Sequence, residues 1–309
     1  MPRHVAVVFV HGIYNQEFDF AKPLLAALRK RLSDKQRYVQ FANIEWAHSV
    51  LRDRQKDFMA RVQAEYPDIT QNKLRHFLLE GLGDAAAYHK TSRPQESSYR
   101  FIQRRITEKL EVLDQEPVKN RPLIFIGHSL GCHIISSYAW DLNKFKQRTE
   151  ADLADESDPE MMALWKQLRD SPFRRLDTFA GFVTLGSNMP LFTFPFSPDR
   201  VHPITVAPPA RDGRSFAAAF PGIGLEKTLF DQARWLNFFS KRDVLGFPLK
   251  PLYHAFDMKD RLEDVCVTSE SSLSRFLPYW SSLSAHVRYW TNEKVVDRTA
   301  TLIGGIVGE

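Results

Sequence analysis

Residues 123–131, Leu-Ile-Phe-Ile-Gly-His-Ser-Leu-Gly, contain the pattern that decides the fold. The first four form a short, continuous apolar run, which is typical of a strand buried on both faces of a sheet. The next five match Gly-x-Ser-x-Gly, and a helical pattern follows over 134–140. We therefore predict a strand, a tight turn at Ser129 and a helix. The two glycines leave room for a strained turn that would lift the serine off the sheet.

Five further apolar runs predict strands on either side of this segment. They lie at 6–10, 38–46, 179–185, 235–239 and 265–267. Amphipathic helical patterns alternate with these runs, and such alternation is typical of a parallel sheet covered on both faces. The predicted fold class is α/β, with a mostly parallel central sheet of about six or more strands flanked by helices. In such sheets the functional residues lie beyond the carboxyl ends of the strands.

Two long segments interrupt this alternation. Residues 48–90 are charged and helical in pattern, so we predict a helical insertion there. Residues 187–230 form a Phe- and Pro-rich loop, which is either a lid or apolar wall over a ligand site or ordinary core filling. Its phenylalanines are Phe192, Phe194, Phe196, Phe216 and Phe220. We predict a single domain over 1–309, with the two insertions as candidates for a cap or lid.

The composition bounds the class of protein. The 309 residues are 43% hydrophobic and 26% charged, which is ordinary for a globular protein. Two cysteines are too few for a disulfide framework or a Cys-rich metal site. No apolar run reaches the ~20 residues of a membrane span, and the first one is too short for a secretory signal, so we expect a cytoplasmic protein. The net charge of +5 fits a solvated surface, and we expect no nucleic-acid partner, no cofactor and no metal.

A second motif, Val-Phe-Val-His-Gly-Ile at 8–13, follows the first predicted strand. With the Gly-x-Ser-x-Gly segment, it resembles the α/β-hydrolase superfamily, in particular its lipase- and esterase-like branches. The resemblance implies Ser129 as nucleophile and an oxyanion hole formed by the backbone N–H groups of Ile13 and Leu130, each donor lowering the barrier by roughly 3 kcal/mol. His11 is expected to fix the loop rather than to carry a proton. The resemblance covers the core, roughly 4–46, 96–142, 178–187 and 232–300.

The same resemblance implies a catalytic histidine after the last core strand and an acid earlier in the chain, since a serine hydroxyl needs a base to become nucleophilic. His286 follows the sixth predicted strand and is the expected base, with His254 as the alternative. Asp243 follows the fifth and is the expected acid, which would hold the imidazole in one tautomer. The alternatives to this acid are Asp257, Asp260 and Asp264.

The resemblance implies a serine hydrolase that cleaves a carboxylic ester through an acyl-enzyme on Ser129. His286 would act first as base and then as acid, helped by Asp243. The partner would be a small-molecule ester, with an apolar acyl group if the loop 187–230 is a lid. Thioesterase, amidase and phospholipase activities use the same residues and stay open. The alternative from another class is a non-catalytic binding protein with this fold.

Overall fold

The computed structural model is built around a six-stranded sheet in which every neighbouring pair of strands is parallel, in the order β2-β1-β3-β4-β5-β6. The strands are β1 (Val5–Val10), β2 (Val39–Ile44), β3 (Leu123–His128), β4 (Phe179–Leu185), β5 (Arg234–Phe239) and β6 (Leu262–Cys266). The structure describes residues 1–12, 20–46, 49–69, 79, 81, 83, 86, 88, 98–115, 117–146, 168, 171–208, 217–258, 260–268 and 285–309.

Helices cover the two faces of the sheet. They are α1 (Lys22–Leu32), α2 (Ser49–Glu65), α3 (Ser98–Asp114), α4 (Leu130–Lys146), α5 (Lys227–Gln232) and α6 (Glu293–Val307). Short 3₁₀ helices lie at Ser33–Tyr38, Met189–Phe192, Pro198–Arg200 and Arg288–Thr291. Buried side chains of α1 and α6 pack on one face and those of α3 and α4 on the other.

The two-sided cover explains the continuous apolar runs. In β1, Val7 packs in the core beneath α1 and α6, whereas Val8 packs in the core beneath α3 and α4. All six residues of β1 are buried, and so are all six of β3. A strand with both faces buried favours apolar side chains on both faces, so a continuous run replaces the usual alternation. The predicted α/β class with its parallel central sheet is confirmed.

Five of the six strands differ from their predicted bounds by one to three residues at one or both ends, and β3 and β6 show the physical reasons. β3 continues through Gly127 and His128, because both pair with β4. β6 begins at Leu262 rather than at residue 265. The segment after Leu262 contains two acidic residues, which hid the strand. They are tolerated because β6 is the last strand of the sheet and packs on fewer neighbours.

The two predicted insertions are described only in part. The helix α2 lies in the segment 48–90, of which most residues from 70 onward lie outside the described ranges. In the loop 187–230, residues 209–216, including Phe216, lie outside them as well. The single-domain assignment and the role of these segments as a cap or lid stay predictions. Over the ranges that are described, no helix is both long enough and apolar enough to cross a membrane.

Candidate active site

Ser129 lies between the last residue of β3 and the first of α4, in a strained backbone conformation. Its φ is +52°, in the left-handed region that residues with a side chain rarely occupy. Its N–H donates to the carbonyl of Leu185 in β4 (2.9 Å), and its own carbonyl accepts from the N–H of Cys132 (3.0 Å). Strain of this kind persists where surrounding structure enforces it, and it clusters at functional sites. The predicted strand–turn–helix around the serine is present.

The glycines on either side of the serine allow close backbone contacts. A Cβ on Gly131 would stand 2.4 Å from the carbonyl oxygen of Val10 and 2.5 Å from that of His11. A Cβ on Gly127 would stand 2.9 Å from the backbone N of Cys132. Both approaches are shorter than carbon–oxygen or carbon–nitrogen contacts allow. The sharp turn therefore requires glycine at both positions.

We expect Gly131→Ala to lower the free energy of unfolding by about 1–3 kcal/mol, because the new methyl group meets strand carbonyls that cannot rotate away. The matched control is Gly305→Ala in α6, where a Cβ would meet nothing within 4 Å. Alanine there should raise the free energy of unfolding by about 1 kcal/mol through helix propensity alone. Urea unfolding followed by circular dichroism measures both changes. Equal signs for the two variants would contradict the packing argument.

Asp243 and His286 form a buried pair. His286 Nδ1 lies 2.9 Å from Asp243 Oδ2 and 3.0 Å from Oδ1, and the two side chains are 2% and 0% exposed. An ionised carboxylate only accepts hydrogen bonds, so Nδ1 carries the proton and Nε2 presents a lone pair. The carboxylate also accepts from the Tyr289 hydroxyl at Oδ2 (2.8 Å) and from the Leu245 N–H at Oδ1 (2.9 Å). The acid is therefore held by three donors.

These donors keep the acid ionised in spite of its burial. Burial pushes the pKa of Asp243 upward, but the hydrogen bond and the charge of His286, together with the donors Leu245 and Tyr289, bring the pKa below its ordinary value. Burial and the neighbouring Asp243 raise the pKa of Tyr289, so its hydroxyl stays a donor. Because the folded-state pKa of Asp243 lies below the unfolded one, its carboxylate stabilises the fold at neutral pH. That contribution is lost as the pH falls through the folded-state value.

The buried side-chain atoms without a hydrogen bond in the described part of the chain include the hydroxyl of Ser129 and Nε2 of His286. Neither has a partner among the described residues, so no hydrogen bond joins them to each other. Both residues lie at the carboxyl end of β4. The N–H of Ser129 is bonded to Leu185, and a Cβ on the next residue, Gly186, would stand 3.2 Å from His286 Nδ1. A hydroxyl donor and an imidazole acceptor are complementary, and catalytic hydrogen bonds are often long before substrate binds.

Of the two predicted oxyanion donors, Leu130 and Ile13, the structure describes only Leu130. Leu130 is the first residue of α4, so its N–H has no acceptor one turn earlier in the helix. Ile13 lies outside the described residues. The preceding residue, Gly12, packs directly on Ser129, since a Cβ there would stand 2.5 Å from Ser129 Cβ. The His-Gly turn is therefore in contact with the serine.

His11 fixes the turn that it begins. It is buried, and its Nδ1 lies 2.8 Å from the carbonyl oxygen of Gly12. Its Nε2 accepts from the N–H of Trp46 (3.3 Å), and its carbonyl accepts from the Trp46 indole (2.7 Å). The two rings stack with centroids 4.9 Å apart. These contacts fasten the turn after β1 to the end of β2.

The alternative base and acid lie in other surroundings. His254 is exposed, and its Nδ1 lies 3.1 Å from the carbonyl oxygen of Pro251. The carboxylate of Asp264 accepts from the N–H groups of Leu249 and Lys250 and from the amide of Asn237. Asp264 therefore holds the segment that follows the Asp243 loop, and its carboxylate oxygens accept hydrogen bonds from that segment and from Asn237 rather than from an imidazole. Tyr289 was missed by sequence reasoning, because no local pattern distinguishes a tyrosine three residues after the histidine.

The aromatic residues of the loop 187–230 divide between core and surface. Phe220 is fully buried, whereas Phe194 and Phe196 are 75% and 54% exposed. Phe192 stacks flat on His133, with ring centroids 4.2 Å apart, and burial lowers the pKa of His133 to about 4. The neutral imidazole belongs to α4, one turn after the serine. The loop therefore both fills core and leaves apolar rings in solvent. No group of three His, Cys, Asp or Glu side chains in the described ranges is arranged to hold a metal ion.

Comparison with known proteins finds distant similarity at the level of structure. No protein-family model matches the chain, and no curated protein sequence matches it. Among solved structures, Est1E from Butyrivibrio proteoclasticus is similar over 93% of this chain and 87% of its own, with 9% identity and a TM-score of 0.36. A pyrethroid hydrolase from Sphingobium faniae JZ-2 is similar over 98% and 97%, with 12% identity and a TM-score of 0.35. The assignment of the fold rests on the strand order and on the turn at Ser129.

Proposed function

We propose that this chain, which has the fold of the α/β-hydrolases, is a serine hydrolase that cleaves a carboxylic ester through an acyl-enzyme on Ser129. One observation carries the proposal: the buried imidazole of His286 is bonded to Asp243 through Nδ1 and has an unsatisfied Nε2. That imidazole lies at the same end of the sheet as Ser129, whose hydroxyl is also unsatisfied. Unsatisfied buried polar groups are uncommon in native proteins and call for an explanation. A proton transfer between these two atoms supplies one.

The proposed reaction has two matching halves. The hydroxyl of Ser129 gives its proton to His286 Nε2 while Oγ bonds to the carbonyl carbon of the ester, and the carbonyl π electrons move to its oxygen. The N–H groups of Ile13 and Leu130 would donate to that oxyanion. When the intermediate collapses, the carbon–oxygen bond to the alcohol breaks and the alcohol leaves with the proton from Nε2. Water then attacks the acyl-enzyme through the same steps and releases the acid.

Asp243 would act by orienting and stabilising the base. Its carboxylate accepts from Nδ1, which keeps Nε2 free of a proton in the resting site and stabilises the imidazolium once it forms. Tyr289 and Leu245 hold the carboxylate from its other lone pairs. A small-molecule ester with an apolar acyl group is the proposed substrate, because the exposed rings of Phe194 and Phe196 lie in the loop that follows β4.

The proposal is tested by labelling with a small alkyl fluorophosphonate and a long-chain one, followed by intact mass measurement and peptide mapping. We expect a single adduct per chain, on Ser129, and no adduct in the Ser129→Ala variant. Two probe sizes are needed because Ser129 is fully buried, and a bulky probe reports on access as well as on reactivity. Folded protein that neither probe labels, or an adduct confined to another residue, would refute the proposal and favour the non-catalytic binding protein.

We expect Asp243→Asn to lower kcat by about 10³- to 10⁴-fold with the fold intact. An amide in this position donates as well as accepts, so the imidazole can turn or change tautomer and lose the lone pair on Nε2. Steady-state hydrolysis of a p-nitrophenyl ester measures the change. The matched control is Asp264→Asn, whose carboxylate holds backbone N–H groups and not the imidazole. A larger loss of kcat in the control would mean that Asp243 is not the acid.

A further inference from the structure

His128, the residue immediately before the nucleophile, makes a contact that the proposed reaction does not use. Its Nε2 lies 2.6 Å from the backbone carbonyl oxygen of His286, which is 158 residues away in the sequence. The carbonyl can only accept, so Nε2 carries the proton and donates. The two imidazole rings are 4.8 Å apart. One side chain thus joins the backbone next to Ser129 to the backbone of the proposed base.

The buried surroundings of His128 keep its imidazole neutral and fixed in place. The side chain is 1% exposed, and burial, with a smaller contribution from His286, lowers its pKa to about 3. It is therefore neutral at working pH and cannot compete for the proton that His286 receives. Its ring also packs beside Trp290 and Tyr289, with centroids 5.3 and 6.2 Å away. The remaining ring nitrogen, Nδ1, is buried and has no hydrogen-bond partner in the described ranges.

The unsatisfied Nδ1 of His128 is a cost that a side chain serving only to fill the core would avoid. A phenylalanine of similar shape would pack against the same rings without burying an unpaired nitrogen, and buried polar atoms without partners are unfavourable. Packing alone therefore gives no reason for histidine at this position. The hydrogen bond to the carbonyl of His286 does, because it fixes the distance between the nucleophile's backbone and the base.

We propose that His128 is a positioning residue for the base: its Nε2–H holds the main chain of His286 while Asp243 holds the imidazole. His286 is then fastened at both ends, at its carbonyl through the residue preceding Ser129 and at Nδ1 through the acid. Misplacement of a catalytic group by about 1 Å can lower a rate about 100-fold, so one hydrogen bond of this kind is enough to matter. This inference rests on the proposed function and adds a residue to it.

Two variants test separately the hydrogen-bond donor of His128 and its aromatic ring. His128→Phe keeps an aromatic ring and removes the donor, whereas His128→Gln removes the ring and can present an amide N–H near the place of Nε2. We expect His128→Phe to lower kcat by about 10- to 100-fold with KM within about twofold of the parent protein. The melting temperature should change little, because the variant loses both the hydrogen bond to the His286 carbonyl and the unpaired Nδ1. His128→Gln should restore most of the lost kcat in spite of its poorer packing.

The readout is the rate and the end-point of fluorophosphonate labelling at Ser129, alongside ester turnover. A positioning role slows labelling of His128→Phe while the final extent still reaches one adduct per chain, whereas damage to the fold lowers the extent. Labelling of His128→Phe at the parent rate, or a Gln variant as slow as the Phe variant, would overturn the inference and leave the proposed function standing. Parent protein that never labels at Ser129 would overturn both.

Discussion

Ser129→Ala is expected to lower kcat for ester hydrolysis by at least ~10⁴-fold, since no other group in the proposed site can form the acyl-enzyme. The loss of rate should come without a loss of stability. Alanine and serine both have a Cβ, so the strain at φ +52° is the same in both. The variant also removes a buried hydroxyl that has no partner among the described residues. Its free energy of unfolding should equal or exceed that of the parent, because the unpaired buried hydroxyl is gone.

Paired measurements of p-nitrophenyl ester turnover and urea unfolding test this expectation. Ser136→Ala is the matched control, because it makes the same change in α4, two turns after Ser129. It should leave turnover within about twofold of the parent. A Ser129→Ala variant that retains a tenth or more of the parent kcat would show that another residue carries the reaction. An inactive variant that has also unfolded would leave the assignment to the labelling experiment.

Substitution of His286 is expected to have an effect nearly as large, with kcat falling by ~10⁴-fold or more. Two substitutions are informative because one leaves the Asp243 carboxylate without its imidazole donor and the other replaces that donor. His286→Ala leaves the buried carboxylate without its nearest partner, which should also cost stability. His286→Asn keeps an N–H near the position of Nδ1, and so a donor to the carboxylate, but has no atom at Nε2. Both variants should be inactive, and the asparagine variant should be the more stable of the two.

His254→Ala is the control for this pair, because His254 is exposed and was the alternative base. It should leave most of the turnover in place. The opposite result, an inactive His254→Ala and an active His286→Asn, would mean that the base lies after the fifth strand. Steady-state kinetics at pH 7 and above decide whether His286 or His254 is the base, and circular dichroism checks that each variant is folded.

Much of the fold could be predicted from local patterns. The six apolar runs correspond to the six strands of the sheet, and one of them, Phe179–Leu185, has the predicted bounds. The largest miss was the start of β6, where the acidic residues after Leu262 interrupt the run. Hydrophobic periodicity indicates burial, and an edge strand is buried least, so its bounds are the least visible in the sequence.

The candidate site was predictable only as far as its residues belong to local motifs. The turn at Ser129 follows from residues within a few positions of it, because two glycines and the end of a strand define its backbone. Asp243 and His286 are 43 residues apart, and the expectation that they meet came from resemblance to a family rather than from any local pattern. Tyr289 had no signal of its own, and His128 stood only as the variable residue of a motif.

The sequence by itself therefore determined the α/β class, the strained turn and the serine that the turn presents. These depend on backbone sterics and on side-chain periodicity, which act over a few residues. Only the tertiary structure decided which side chains hold His286, because contacts over 43 and 158 residues exist only once parallel strands have brought their carboxyl ends to one edge. The pairing of His286 with Asp243 and the bond from His128 to its backbone are properties of that packed edge. No segment of the chain encodes them alone.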